Sequence, residues 1–305
     1  MKEIIITVPA TTANLGPGFD CLGMALTLQN EVVFTEMAEP RLTITVHGDC
    51  ANTIAKDERN LIYKAANFTF ERLGKRPYGL QISQTNNIPV GSGLGSSSAA
   101  IISGILGANA LVNGQLTQSD VLALATEMEG HPDNVTPALY GGLTLTICDG
   151  DQLYVEQIVI PPFQVVLVLP DFDLPTAQSR AALPKQVDRH DAIFNIGRMG
   201  LLIHALTDGD HTKLRLAMQD KLHQPYRFAL IPGSEEVIKA AYCEGATAVA
   251  LSGAGPSLIA FAPYNLQAIS QAMVQAFTRA GLQSRTWVLH ANPQGAMVKI
   301  NDNSK

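Results

Sequence analysis

The feature that most constrains this chain is a run of small residues at 88–100, IPVGSGLGSSSAA, which stands directly before an apolar segment. Glycines allow positive φ and close approach of a ligand to the backbone, and serines cap helices. The apolar segment at 99–112 contains Ser103, Gly104, Gly107 and Asn109 and is shorter than the roughly 20 residues that a membrane span needs. We therefore predict a glycine-rich turn that opens a buried helix.

Such a turn predicts phosphate binding, because a helix N-terminus offers unpaired N–H donors and a partial positive charge. No Lys follows the last glycine, which excludes a Walker A loop. No carboxylate follows on a strand about 20 residues later, which argues against a dinucleotide-binding fingerprint. The candidate phosphate-contacting residues are Pro89, Val90, Gly91, Ser92, Gly93, Leu94, Gly95, Ser96, Ser97, Ser98 and Ala99.

A second polar motif, EMEGHPDN at 127–134, ends a helix predicted over 117–130. On a helical wheel Glu129 lies at the margin of the apolar face, whereas Glu127 faces away and is predicted to be a solvated charge. A carboxylate at a helix C-terminus gains nothing from the helix dipole, so Glu129 needs a cation. An Arg or Lys partner would satisfy it. So would Mg²⁺, with a second oxygen from Ser97.

The residues after this helix allow two interpretations. Asp133 and Asn134 are turn-forming residue types behind Pro132, but they could equally bind a substrate. His131 is predicted to be a hydrogen-bonded structural histidine rather than a base. A third motif, LSGAGPS at 251–257, is predicted to form a glycine turn between strands, packed near the phosphate site.

Hydrophobic periodicity predicts a mixed chain without regular βα alternation, which indicates an α+β fold. Pro161-Pro162 is the predicted boundary between an N-terminal domain, 1–162, and a C-terminal domain, 163–305. The predicted strands are 4–8 (ended by Pro9), 26–35, 42–46, 80–82, 143–147, 155–160, 165–169, 247–251, 257–262 and, last, 285–289. The predicted helices are 60–73, 99–113, 117–130, 234–244 and 266–280, and helices are also expected to dominate the stretch from about 188 to 222.

Composition excludes several function classes. With 21 Lys and Arg against 27 Asp and Glu the net charge is −6, and no basic run exists, so we expect no nucleic-acid partner. The four cysteines form no CxxC pair, which argues against a structural zinc site and favours a reduced, cytoplasmic setting. Glu3 stands where a signal peptide is basic, so we expect neither a leader nor a membrane anchor.

The three motifs, in this order, resemble those of the GHMP kinases, the small-molecule kinases of galactose, homoserine, mevalonate and phosphomevalonate. The opening at 9–26, PATTANLGPGFDCLGMAL, is similar to the branch of this family that phosphorylates L-homoserine. The segments at 131–134, 174–184 and 223–227 resemble the same branch, and the resemblance covers nearly the whole chain.

The resemblance implies a two-domain fold. The N-terminal domain would bind ATP and be like domain 2 of ribosomal protein S5, and a ferredoxin-like C-terminal domain would complete the substrate site. It implies ATP- and Mg²⁺-dependent phosphorylation of the L-homoserine hydroxyl to O-phospho-L-homoserine in threonine biosynthesis, by a homodimer. Two alternatives stay open: a GHMP kinase for another small alcohol such as mevalonate, and a catalytically inactive nucleotide-binding sensor.

The resemblance also implies roles for individual residues. The loop at 91–98 would wrap the ATP phosphates, and Ser97 and Glu129 would hold Mg²⁺. Asp133 would occupy the place of the proposed catalytic base of mevalonate-type relatives. Our hypothesis is that it mainly orients the substrate here and that the second catalytic candidate, Asn134, holds the attacking hydroxyl. A zwitterionic amino acid needs carboxylates at one end and guanidinium groups at the other. The residues implied for the amino and hydroxyl end are Asn14, Asp20, Asp133 and Asn134, and those for the carboxylate are Arg180 and Arg227. Without the resemblance, the two arginines would be ordinary surface charges.

Overall fold

The computed structural model describes residues 2–302, an α+β molecule of two sheets. Its strands are β1 (Lys2–Ala13), β2 (Leu22–Met37), β3 (Leu42–Gly48), β4 (Gly79–Asn86), β5 (Leu143–Asp149), β6 (Gln152–Ile158), β7 (Gln164–Pro170), β8 (Ala248–Leu251), β9 (Leu258–Phe261), β10 (Ser284–His290) and β11 (Met297–Asp302). Its helices are α1 (Leu61–Leu73), α2 (Ser96–Leu111), α3 (Gln118–Glu129), α4 (Pro132–Tyr140), α5 (Thr176–Ala181), α6 (Arg189–Asp208), α7 (His211–Ala217), α8 (Gln224–Phe228), α9 (Ser234–Cys243) and α10 (Leu266–Arg279).

The larger sheet has the order β11-β1-β2-β4-β3, and β5 extends it by pairing with both the start of β2 and β6. All of its pairs are antiparallel except β3 with β4. The smaller sheet, β10-β7-β9-β8, is antiparallel throughout. The predicted boundary at 161–162 falls between β6 and β7, and β11 brings a later segment back to the first sheet. The division into domains 1–162 and 163–305 stays a prediction. Residues 1 and 303–305, at the outer ends of these two domains, lie outside the described residues.

Helix α2 follows directly after the glycine-rich segment, and it is buried on almost all sides. A Cβ at Gly104 would lie 2.4 Å from the backbone oxygen of Ile62, so only glycine lets α2 approach α1 this closely. Ile101, Ile102 and Ile105 are buried on other sides of the helix. The N-terminal end of α2 is thereby fixed at the rim of the larger sheet.

Several predicted elements are confirmed and three differ. Helix α1 begins after Asn60, whose side chain accepts from the N–H of Ile62, and ends at left-handed Gly74. The prediction that β1 stops at Pro9 is wrong, because the strand continues past a register shift between Pro9 and Ala10, where a proline is tolerated. The prediction that 285–289 is the last strand is wrong, because β11 follows. The prediction of a turn at 132–134 is wrong, because these residues begin α4.

No helix within residues 2–302 has the length and apolarity to cross a bilayer.

Candidate active site

The glycine-rich loop joins β4 to α2 and has the backbone shape of an anion cradle. Gly91, Gly93 and Gly95 have φ of 67°, 78° and 67°. Gly95 is the N-cap of α2 and offers no side chain to the first N–H groups, and the first turn contains no acidic residue. The free N–H donors and the positive end of the helix dipole are therefore left for a ligand.

The third motif packs directly against this loop. Ser252 Oγ lies 2.8 Å from the Gly93 backbone oxygen and 2.9 Å from Thr12 Oγ1. A Cβ at Gly93 would lie 2.3 Å from the Ser252 backbone oxygen, so any larger residue would push the two loops apart. The Ser257 N–H donates to the Ser92 backbone oxygen. Residues from the smaller sheet thus hold the glycine-rich loop in place.

A cavity of about 420 Å³ opens between these loops. Most of the predicted phosphate-contacting residues line it, whereas Pro89, Leu94, Ser98 and Ala99 lie behind the wall. Polar residues from β2, β4 and the surrounding loops and helices share the lining with aliphatic ones such as Val32 and Ile62. The polar lining includes Asn14, Asn60, Gln84, Asn86, Ser97, Glu129, Asp133, Asn134, Thr176, Arg180 and Arg227.

Glu129 and Ser97 meet at the N-terminal end of α2. The Ser97 hydroxyl donates to Glu129 Oε1 at 2.5 Å, and the Ser98 hydroxyl donates to the same oxygen at 2.9 Å. No Lys or Arg of residues 2–302 forms an ion pair with Glu129, whereas Glu127 pairs with Arg72 at the surface. Within the same residues no group of three His, Cys, Asp or Glu forms a metal cluster. One carboxylate and one hydroxyl beside a phosphate cradle are a donor set that Mg²⁺ accepts, because it takes few protein oxygens and keeps phosphate and water ligands.

Helix α4 presents Asp133 and Asn134 from its first turn. Pro132 at the first helical position suits this start, and both side chains are buried. Asn134 Oδ1 accepts from the Thr11 hydroxyl at 2.7 Å. Asp133 Oδ1 lies 2.5 Å from His131 Nδ1. Burial disfavours the charged ring, but the hydrogen bond and charge of Asp133 outweigh this and raise the pKa of His131. The predicted structural role of His131 agrees with this contact.

Both the amide nitrogen and the amide oxygen of the Asn14 side chain form hydrogen bonds with backbone groups. Its Nδ2 donates to the Gly253 backbone oxygen at 2.8 Å, and its Oδ1 accepts from the Asp20 N–H at 2.9 Å. Although Asn14 lines the cavity, these contacts tie the loop after β1 to the third motif. The geometry gives Asn14 a scaffold role in addition to the predicted substrate contact, which stays a prediction.

Asp20 and Arg180 form a two-pronged ion pair, with nitrogen–oxygen distances of 2.8 and 3.0 Å. Donation of these hydrogen bonds to Asp20 is the largest influence on Arg180, and it raises the pKa of that guanidinium. Both side chains are about one-third exposed, at 35% and 36%. Sequence reasoning assigned these residues to opposite ends of a zwitterion. The structure instead pairs the two charges with each other, and Arg180 lines the cavity whereas Asp20 does not.

Arg227 is the most unusual side chain of the site, because it is large, charged and only 1% exposed. Among residues 2–302 its guanidinium hydrogen-bonds only to neutral acceptors, at 3.3 to 3.4 Å: Ser179 O, Gly253 O and His223 Nδ1. Burial, then the nearby charge of Arg180, lowers its pKa to about 10. A buried cation without a paired carboxylate needs an anion, and the cavity is where one can reach it.

Sequence reasoning missed two neighbours of Arg227. Phe19 lies with its ring centroid 5.1 Å from the guanidinium carbon and stacks on His223 at the same distance. Burial lowers the pKa of His223, which is fully buried. His223 belongs to the segment at 223–227 that carried the resemblance, but no pattern in the sequence showed that it would contact Arg227.

Comparison with known proteins agrees with this geometry. The family models for the GHMP kinase N-terminal and C-terminal domains match residues 60–142 and 202–279. A protein of Moorella thermoacetica named homoserine kinase is 45% identical over 96% of this chain and 99% of its own length. This chain belongs to the homoserine kinase group of the GHMP kinase family.

Other members of the group are similar along their full lengths. A homoserine kinase of Crocosphaera subtropica is 44% identical over 99% of both chains. The crystal structure of homoserine kinase from Cytophaga hutchinsonii matches with a TM-score of 0.87 at 33% identity, covering 97% of each chain. The expected GHMP kinase fold is therefore confirmed for this chain.

Proposed function

We propose that this chain transfers the γ-phosphoryl group of ATP to the side-chain hydroxyl of L-homoserine. The observation that carries the proposal is Arg227, a buried guanidinium that faces a phosphate cradle across one cavity and lacks a carboxylate partner among residues 2–302. Its counterpart in the substrate is a carboxylate. The curated relatives named homoserine kinase support the same assignment.

The glycine-rich loop holds the phosphates of ATP in this account. Backbone N–H groups of the loop and of the first turn of α2 replace the basic side chains that other kinases use. Ser97 and Glu129 would hold Mg²⁺. The ion supplies charge neutralisation on the phosphate oxygens when it is bound. The aliphatic and amide-lined part of the cavity, from Val32 to Asn86, leaves room for the nucleoside.

The other end of the cavity suits a zwitterion. Arg227 would bind the substrate carboxylate through Nη2, because Nε and Nη1 already donate to Ser179, Gly253 and His223. The Asp20–Arg180 pair offers an anion for the substrate ammonium and a second cation for its carboxylate. A zwitterion can thus join this pair without leaving either charge uncompensated.

Asp133 and Asn134 then face the hydroxyl that is phosphorylated. Phosphoryl transfer passes through a loose transition state, so positioning and electrostatics supply most of the rate acceleration. Asn134, held by Thr11, is placed to position the hydroxyl. Asp133, held by His131, would orient the substrate and take up the proton of the hydroxyl after the P–O bond forms.

A panel of acceptors tests the proposal. Purified chain with ATP and Mg²⁺ is assayed for ADP release in the presence of L-homoserine, mevalonate or galactose. We expect kcat/KM to be largest for L-homoserine by at least about a hundredfold, because galactose has no carboxylate for Arg227 and mevalonate has a carboxylate but no ammonium for Asp20. Faster turnover of mevalonate would contradict the proposed substrate. ATP binding without turnover of any acceptor would indicate an inactive nucleotide-binding protein.

We also propose that the chain forms the predicted homodimer and is located in the cytoplasm. Gel filtration with light scattering tests the homodimer.

A further inference from the structure

The segment before α8 contains a buried histidine for which the proposed reaction has no role. His223 is 0% exposed, and each ring nitrogen has a polar neighbour. Its Nε2 lies 2.8 Å from the Gly16 backbone oxygen, and its Nδ1 lies 3.3 Å from an Arg227 Nη1. Asp220 Oδ2 is farther from Nε2, at 3.6 Å, and accepts the N–H groups of His223 and Gln224 instead.

These contacts specify one tautomer. The Gly16 carbonyl can only accept, so Nε2 carries the hydrogen. The Arg227 guanidinium can only donate, so Nδ1 presents its lone pair. A ring in this state fills the gap between the loop after β1 and the guanidinium. Phe19 stacks on the ring at an interplanar angle of 22°, which fixes the ring plane.

From this geometry we infer that His223 is a positioning residue for the substrate carboxylate. It acts through Arg227 rather than on the substrate, because it does not line the cavity. The uncharged Nδ1 of His223 accepts a hydrogen bond from one N–H of Arg227 and leaves the positive charge of the guanidinium in place. The guanidinium therefore stays available for a carboxylate. The same ring ties Gly16, and hence the loop that carries Asp20, to the position of Arg227.

An acidic residue in the place of His223 would pair with Arg227 and remove its charge from the substrate. An aliphatic residue would leave the N–H of Arg227 unpaired and its guanidinium unfixed. The choice of a neutral histidine therefore favours recognition of carboxylate-bearing alcohols. The inference rests on the proposed function, because it concerns the same substrate end of the cavity.

Two substitutions separate the contacts of the ring. His223→Asn places an amide oxygen near the position of Nδ1 and keeps an acceptor for Arg227, but it cannot reach Gly16. His223→Gln places its amide NH₂ near the position of Nε2 and keeps a donor for Gly16, but it removes the acceptor for Arg227. The two variants are similar in size and polarity, so a general loss of packing would affect both.

Steady-state kinetics with L-homoserine and ATP give the readout. We expect His223→Gln to raise the KM for L-homoserine by about tenfold or more, since one hydrogen bond to a charged group is lost, and to change the KM for ATP by less than about twofold. We expect His223→Asn to keep most of the affinity for L-homoserine. With 3-aminopropan-1-ol, which is homoserine without its carboxylate, the kcat/KM of His223→Gln should stay within about twofold of the unsubstituted chain.

The outcomes are distinguishable. Equal losses in both variants, or equal rises in the KM of ATP and homoserine, would show that His223 only supports the fold and would overturn the inference. An unchanged KM for homoserine in His223→Gln would overturn it as well, while leaving the proposed function intact. Absence of homoserine turnover in the unsubstituted chain would instead overturn the proposed function, and this inference with it.

Discussion

Replacement of Arg227 by Met tests the assignment of the buried cation. The guanidinium is 1% exposed and pairs with no carboxylate of residues 2–302, so the homoserine carboxylate would be its main anionic partner. Methionine fills much of the same volume without charge. The variant therefore removes the interaction without introducing another charge at this position.

The size of the effect follows from burial. Truncation of one partner of a buried, hydrogen-bonded charge pair costs about 2–5 kcal/mol. Because about 1.4 kcal/mol is a factor of ten, the KM for L-homoserine should rise between about 30-fold and about 3,000-fold. The KM for ATP should change by less than about threefold, because the phosphate cradle is built from the other side of the cavity. Arg227→Lys keeps the charge but lacks the planar guanidinium. Its KM for L-homoserine should therefore lie between that of the unsubstituted chain and that of Arg227→Met.

The assay is ADP release, first with L-homoserine varied at saturating ATP and then with ATP varied at saturating L-homoserine. Arg59→Met is the matched control, because Arg59 is exposed and its one ion pair within the described part of the chain is with exposed Asp57. We expect this control to match the unsubstituted chain in both KM values. A rise in the KM of ATP as large as that of homoserine in Arg227→Met would remove Arg227 from the substrate end and refute the reasoning.

Three further changes test other parts of the site. Glu129→Gln should raise the Mg²⁺ concentration for half-maximal rate by about tenfold or more, whereas Glu127→Gln on the same helix should not change it. Asp133→Asn should mainly raise the KM for homoserine; a fall in kcat by about a hundredfold to ten-thousandfold at constant KM would identify a general base. Gly93→Ala should lower the melting temperature and raise the KM for ATP, because its Cβ would lie 2.3 Å from Ser252 O. Gly142→Ala, with φ of 69° and no atom within 4 Å of its Cβ, measures the backbone strain alone, and an equal effect there would contradict the steric explanation.

Elements with local start and stop signals could be predicted from the sequence. Asn60 and Gly74 bound α1, and the Thr117–Asp120 capping box opens α3, as both patterns indicate. Helix α4 was missed because His131 provides no capping hydrogen bond and Pro137 lies inside the helix. Strand β11 was missed because exposed residues such as Met297 and Ile300 show no alternation, and its pairing with β1 spans nearly the whole chain.

The site shows the same division between local and distant causes. The glycine-rich loop is one continuous segment, so its phosphate-binding shape could be predicted from residue types and order. The environment of Arg227 could not, because its neighbours come from positions 16–19, 179, 223 and 253. Likewise, the Asp20–Arg180 pair joins residues 160 positions apart. Charged residues of ordinary local pattern become a site only when the two sheets are assembled.

Identification of the product tests the central claim most directly. Purified chain is incubated with ATP, Mg²⁺ and L-homoserine, and the product is examined by ³¹P NMR and mass spectrometry. Because we propose that Arg227 binds the carboxylate and leaves the side-chain hydroxyl to face ATP, we predict a phosphomonoester on that hydroxyl, formed in an amount equal to ADP. An acyl phosphate on the carboxylate, or ADP formed without a phosphorylated amino acid, would contradict the account.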